Sequence, residues 1–180
     1  MGFIKLFILG SSGYLLSGLF DVAILYNKPT LKKILYVGFV ITAIPYVILF
    51  SSYSSPIPLL GRWIIFALLL FFALLLIYSV FIEVSFLAQK PGTFYKKGTY
   101  SISRHPGFLW YTAINILVAI YFWDYRITLL CAGFCLDNLV LISIEDKFLF
   151  PKMFDEYQEY KKQTPFLLSI RSFTQWRVLK

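Results

Sequence analysis

The chain has 180 residues, of which 59% are hydrophobic, 20% aromatic and only 14% charged, and its mean hydropathy is +0.73. That balance excludes a disordered chain and argues against an ordinary soluble domain. The formal charge of +8 is therefore no sign of nucleic-acid binding, which needs a concentrated basic surface on a soluble fold.

Five apolar segments account for the composition: residues 6–26, 34–50, 63–82, 107–123 and 127–144. Each approaches the ~20 residues that an α-helix needs to cross a hydrocarbon core of ~30 Å. The predicted fold class is all-α: one polytopic membrane helix bundle, residues 1–180, with about five transmembrane helices and a cytosolic amphipathic C-terminal tail. The first segment is interrupted by Gly13, Ser17, Gly18 and Asp21 and lacks a small-residue cleavage site, so it reads as a retained helix rather than a signal peptide. Gly13 and Ser17 form a small-xxx-small pair, a face suited to close helix packing that carries Asp21 into the bundle. Pro45 is expected to kink the second segment without ending it. The third is free of charge. The fourth and fifth are parted only by residues 124–126 and predict a tight antiparallel hairpin.

Fourteen basic residues follow the first, third and fifth segments, from Lys28 to Lys180, and only Lys5, Arg62 and Arg126 lie at the opposite ends. The positive-inside rule then places the N-terminus outside, the 83–106 loop inside and the C-terminus in the cytosol, so the +8 reports orientation and attraction to an anionic leaflet. In the tail, Met153, Tyr157 and Tyr160 recur at helical spacing after a break at Pro151; Phe166, Ile170, Phe173 and Trp176 repeat the pattern beside Arg171, Arg177 and Lys180, as an interfacial helix does.

Polar chemistry gathers on the same side. In KPGTFYKKGTYSISRHPGF, residues 90–108, the residues Pro91, Gly92 and Gly98 mark a structured turn. Arg104 and His105, the chain's one histidine, stand at the mouth of the fourth helix, where a guanidinium and a helix N-terminus suit a carboxylate or phosphate. The bland reading is a helix cap with snorkelling basic residues. Asp137 and Glu145, eight apart, share a helix face, with Glu145 and Asp146 near the same interface as Arg104; helix glue and membrane-boundary marking are the structural alternatives. The chain lacks GxSxG, HExxH and GxGxxG patterns, and Cys131 and Cys135, four apart in an apolar run, are neither a disulfide framework nor a metal set.

GTYSISRHPGFLWY resembles the glycine, aromatic, Arg-His-Pro signature of the integral-membrane methyltransferases that include isoprenylcysteine carboxyl methyltransferase and the phospholipid N-methyltransferases. Downstream, IEDKFLFPKMFDEYQEYKKQTPFLLS resembles their paired-acid motif and the following FG-x-x-Y-x-x-Y-like segment. Together the two blocks cover residues 90–169. Gly98, Tyr100, Arg104, His105 and Pro106 match the first block; Glu145, Leu149, Phe154, Tyr157 and Tyr160 match parts of the second. Phe108, Asp146 and Asp155 depart from the usual tyrosine, second glutamate and glycine.

The resemblance implies a methyltransferase that binds S-adenosylmethionine without a metal. Arg104, His105 and Glu145 are the implied catalytic residues, and Tyr100, Arg104, His105, Pro106, Glu145, Asp146, Tyr157 and Tyr160 the implied cofactor-binding residues. The implied partner is a lipid or prenylated small-molecule substrate in the bilayer, its polar acceptor an isoprenylcysteine-like carboxylate or a lipid headgroup. A nicotinamide-dependent membrane reductase shares an Arg-His segment near the C-terminal half, but its glycine-tryptophan-rich approach is missing here. A non-enzymatic membrane scaffold is the other alternative.

Overall fold

A computed structural model describes residues 2–83 and 95–168, and all regular structure among them is helical. Lys90, Pro91 and Gly92, and the tail expectation on Ile170, Arg171, Phe173, Trp176, Arg177 and Lys180, lie outside the described residues. Helix α1 spans Phe3–Leu25, α2 Pro29–Leu35, α3 Val37–Ser52, α4 Leu59–Ile77, α5 Pro106–Phe122, α6 Tyr125–Ile144, α7 Phe150–Met153 and α8 Tyr157–Gln163. Four stretches are long and apolar enough to cross a membrane: Phe3–Leu25, Pro29–Ser52, Leu59–Glu83 and Tyr125–Met153. The fifth expected segment, α5, is apolar but has only 17 residues. The protein is a polytopic membrane protein, and its outer faces agree: Leu15, Val40, Trp63, Leu70, Leu129 and Leu136 are all exposed, an arrangement that suits hydrocarbon better than water.

Small residues set the closest approach. A Cβ on Gly38 of α3 would lie 2.9 Å from Gly13 O and from Ser17 N of α1, so the two backbones meet where the small-residue pair predicts. Gly10 leaves room for the Phe134 ring of α6, Gly18 faces Leu141, and Gly133 faces Phe7. This rising register makes α1 and α6 parallel. Between them and α3 to α5 runs an aromatic core in which Phe134 meets Tyr14 and Tyr46, and Phe50 meets Phe66, Tyr121 and Phe122.

The turn between α5 and α6 is as tight as expected. Trp123 takes a left-handed conformation, φ 49°, and the Asp124 carboxylate accepts from Arg126 N and Ile127 N, capping α6. Helix α3 continues through Pro45. The expected break at Pro151 falls elsewhere: α6 widens into a π turn at Glu145–Leu149 and runs on through Pro151 into α7, the widened turn accommodating a residue that cannot donate to it. The chain breaks at extended Phe154 instead.

These connections carry one end of α1, α4, α5 and α6 to a common place. The C-terminal ends of α1, α4 and α6 meet the N-terminal end of α5 there, as the contacts of Glu145 with Asp21 and with His105 and of Gly107 with Val80 show.

Candidate functional site

Local geometry aims the site residues before any long-range contact does. His105 precedes a proline, so helical backbone is disfavoured; it adopts φ −129°, ψ 65°, and α5 starts at Pro106. Upstream, a 3-10 turn at Gly98–Ser101 begins with Gly98 at φ 59°, a left-handed conformation that costs glycine nothing. Opposite stands the π turn Glu145–Leu149, and a second π turn, Tyr78–Glu83, ends α4. Such widened turns recur at functional sites because they re-aim side chains relative to a regular helix.

Asp146 is the hub of the cluster. Its Oδ1 lies 2.7 Å from Arg104 Nη1 and accepts a 2.7 Å hydrogen bond from the Tyr157 hydroxyl, while its Oδ2 lies 2.7 Å from Lys161 Nζ. Glu145 faces the other way, with Oε2 3.9 Å from His105 Nδ1 and its carboxyl within hydrogen-bonding range of Asp21 on α1. His105 Nε2 stands 3.7 Å from Asp146 Oδ1, too far for a full hydrogen bond. Arg104, His105 and Asp146 are all buried. Two fixed cations, Arg104 and Lys161, thus meet the one carboxylate of Asp146, which a buried acid requires.

Burial, opposed by Asp146, holds the His105 imidazole below its ordinary pKa and so favours the neutral ring. Burial also pushes the Tyr100, Tyr157 and Tyr160 hydroxyls up, which keeps them protonated and able to donate. The Tyr160 hydroxyl donates to Tyr100 O at 2.6 Å.

The chain after α8 folds back over the cluster. Arg104 N donates to Pro165 O at 2.9 Å, and Ser103 Oγ to Phe166 O at 3.2 Å. The Arg104 guanidinium lies 5.5 Å from the Phe166 ring centre, within cation–π range. His105 stacks on Phe150 and meets Phe166 edge-on. Among the described residues, the buried Nε of Arg104 and Nε2 of His105 have no hydrogen-bond partner, so the cluster keeps donor capacity that its own residues do not use.

All the sequence-predicted site residues come to this end of the bundle. Arg104, His105, Pro106, Glu145, Asp146 and Tyr157 form the cluster, while Tyr100 and Tyr160 are joined beside it. Asp137 shares the α1-facing side of α6 with Glu145 but sits deeper, accepting from Ser11 Oγ at 2.7 Å. The Asp155 departure from glycine is harmless to the turn, since positive φ among non-glycine residues occurs only at Asn27 and Trp123 among the described residues. Sequence reasoning missed Lys161, Phe150 and Phe166, and kept Asp21 as a packing residue. Lys161 had a signal: it lies four residues after Tyr157 and so on the same face of α8. Asp21 had one too, as an acid within an apolar segment.

No family model, no curated protein and no solved structure matches this chain.

Proposed function

We propose that this cluster binds S-adenosylmethionine and that the protein transfers its methyl group to an amphiphile held in the membrane. The observation that supports the reading is the convergence of two distant sequence blocks, Arg104–His105 and Glu145–Asp146 with Tyr157, at one buried place. The donors left over there suit the group: Arg104 Nε and His105 Nε2 are buried N–H or nitrogen sites without partners among the described residues, as a carboxylate-bearing ligand needs. When bound, the cofactor supplies a methyl group already activated by its sulfonium. Arg104 holds the carboxylate. Glu145, whose side chain is 12% exposed, accepts from hydroxyl or amino groups. His105, neutral and stacked on Phe150, orients the ligand and is placed to hold a proton. Asp146 fixes Arg104 and Tyr157 rather than meeting the ligand itself.

The site lies at the end to which the basic residues point, and this supports reading that end as cytosolic with the N-terminus outside. Helix α5 completes five crossings: its 17 residues reach about 25 Å, close to the hydrocarbon thickness. The acceptor keeps its polar head at this interface and its apolar chain in lipid. That head is the methyl acceptor, an isoprenylcysteine-like carboxylate or a lipid headgroup.

The test uses purified full-length protein in micelles with labelled S-adenosylmethionine, followed by fractionated membrane lipids. Saturable binding is expected, weakened about tenfold or more by Arg104→Ala and by Glu145→Ala with helicity unchanged, the scale of a lost charged hydrogen bond. Binding unaltered in both variants overturns the site, and label transferred to one lipid fraction identifies the acceptor class.

A further inference from the structure

Glu83 belongs to neither sequence block, yet it is fully buried at the last position of the π turn that ends α4. A carboxylate removed from water at the edge of a membrane helix is expensive and persists where it has fixed partners. Its partners lie on the turn that leads into Arg104: Oε1 accepts from Thr99 N at 3.0 Å, and Oε2 accepts from Thr99 Oγ1. Gly98 makes this approach possible. With φ 59° it presents no side chain, and a Cβ there would run into Glu83 Oε1, so glycine is required both for its backbone conformation and for the acid behind it.

The same π turn also holds the chain beyond the site residues. Gly107, in the first turn of α5, packs on it, and a Cβ there would lie 2.8 Å from Val80 Cγ2. Arg104 and His105 are thus bracketed: Thr99 is gripped before them and Gly107 is seated after them, both by Tyr78–Glu83. A short segment fixed at both ends has little freedom to re-aim its side chains.

We propose that Glu83 is a positioning residue of the site, which through Thr99 fixes the direction of Arg104 and His105 without touching a ligand. The part of this that concerns the cofactor rests on the reading given above; the clamp itself does not. Glu83→Gln preserves both bonds, because the amide oxygen accepts from Thr99 N–H and the amide nitrogen donates to the Thr99 hydroxyl. Glu83→Ala removes both. Thr99→Val removes only the side-chain bond.

The chain's single histidine supplies a reporter that needs no ligand. His105 faces Arg104 on its own turn, Glu145 and Asp146 at the end of α6, and Lys161 on α8. Its imidazole titration, followed by NMR on the full chain in micelles, therefore reads how the turn is seated. The expected result is a wild-type midpoint in Glu83→Gln, an upward shift in Glu83→Ala as the ring gains solvent, and a smaller upward shift in Thr99→Val. Thr99→Val should add nothing in the Glu83→Ala background, since the partner is already gone. Affinity for S-adenosylmethionine should fall about tenfold or more in Glu83→Ala and be restored in Glu83→Gln, because small misplacements of a binding group are costly.

An unmoved His105 titration in folded Glu83→Ala, or additive effects of the two substitutions, overturns the clamp. If Glu83→Ala does not fold, the comparison of Thr99→Val with Glu83→Gln decides: equal His105 titrations in the two overturn it. If wild-type protein shows no saturable S-adenosylmethionine binding while the titration shifts as described, the cofactor reading fails and the clamp stands.

Discussion

Arg104 Nη1 lies 2.7 Å from Asp146 Oδ1, and both side chains are more than nine-tenths buried. The pair joins the turn before α5 to the π turn after α6, and Lys161 and Tyr157 bring the C-terminal segment to the same carboxylate. A buried acid that serves three partners is a structural hub. Removing its carboxylate leaves the buried Arg104 guanidinium without its counter-charge.

Asp146→Ala should destabilise the protein by about 3–5 kcal/mol, the range for breaking a buried ion pair from one side. Asp146→Asn should cost less, since the amide oxygen still accepts from Tyr157. Thermal unfolding in micelles followed by circular dichroism ranks the two; equal transitions for Asp146→Ala and wild type show that the hub holds nothing.

His105 gives a prediction on pH. Burial holds its folded pKa below the ordinary value of 6.5, so the unfolded chain binds that proton more readily than the folded one. The stability it contributes is complete above about pH 6.5 and is lost as the pH falls from there through the folded pKa. The melting temperature of the wild type should therefore drop across this acid window, and His105→Gln should flatten that part of the profile. A histidine midpoint above 6.5 by NMR reverses the sign and removes the prediction.

Much of this arrangement was readable in the chain. Segment 63–82 is uninterrupted grease and became part of Leu59–Glu83; the Gly13 and Ser17 pair became the contact with Gly38; Pro106 marked the start of α5. Topology placed Asp146 near the same interface as Arg104, but their pairing was not readable, because local periodicity places residues on helix faces and cannot say which faces meet. Glu83 was invisible for the same reason. It stands at the end of an apolar run, where a charge ordinarily marks the membrane boundary, and only its proximity to Gly98 and Thr99 shows a task. The misplaced break at Pro151 arose because a proline accommodated by a π turn looks in sequence like a proline that ends a helix.

Asp21 and Glu145 place two carboxyl groups within hydrogen-bonding range, one from α1 and one from the end of α6. Two carboxylates cannot bond to each other unless one carries a proton. Asp21→Asn supplies a permanent donor in nearly the same shape and should leave stability within about 0.5 kcal/mol of wild type. Asp21→Leu withdraws the donor and should cost about 1–3 kcal/mol, the penalty for an acceptor left unsatisfied. Chemical or thermal unfolding of the two variants is the measurement, and Asp21→Leu as stable as Asp21→Asn shows that the contact carries no weight.

The small-residue face of α1 separates two glycines that look alike in sequence. At Gly38, a new Cβ meets Leu16 Cβ at 2.8 Å and the α1 backbone at Gly13 O and Ser17 N, all 2.9 Å or closer, and none of these atoms is the free end of a side chain. The helices must separate to admit even a methyl group, and overpacking of this kind costs about 1–3 kcal/mol. At Gly18, a new Cβ meets only Leu141 Cδ1 at 3.0 Å, the tip of a side chain that can turn aside. Replacing Gly18 by Ala also removes the helix-interior penalty of glycine, about 0.5–1 kcal/mol, which offsets the small adjustment of Leu141. Gly38→Ala should therefore lower the melting temperature clearly while Gly18→Ala leaves it unchanged or raises it. Gly38→Ala as stable as wild type in the same micelles means that α1 and α3 do not approach at Gly13 and Ser17, and the seat that carries Asp21 toward Glu145 is then wrongly placed.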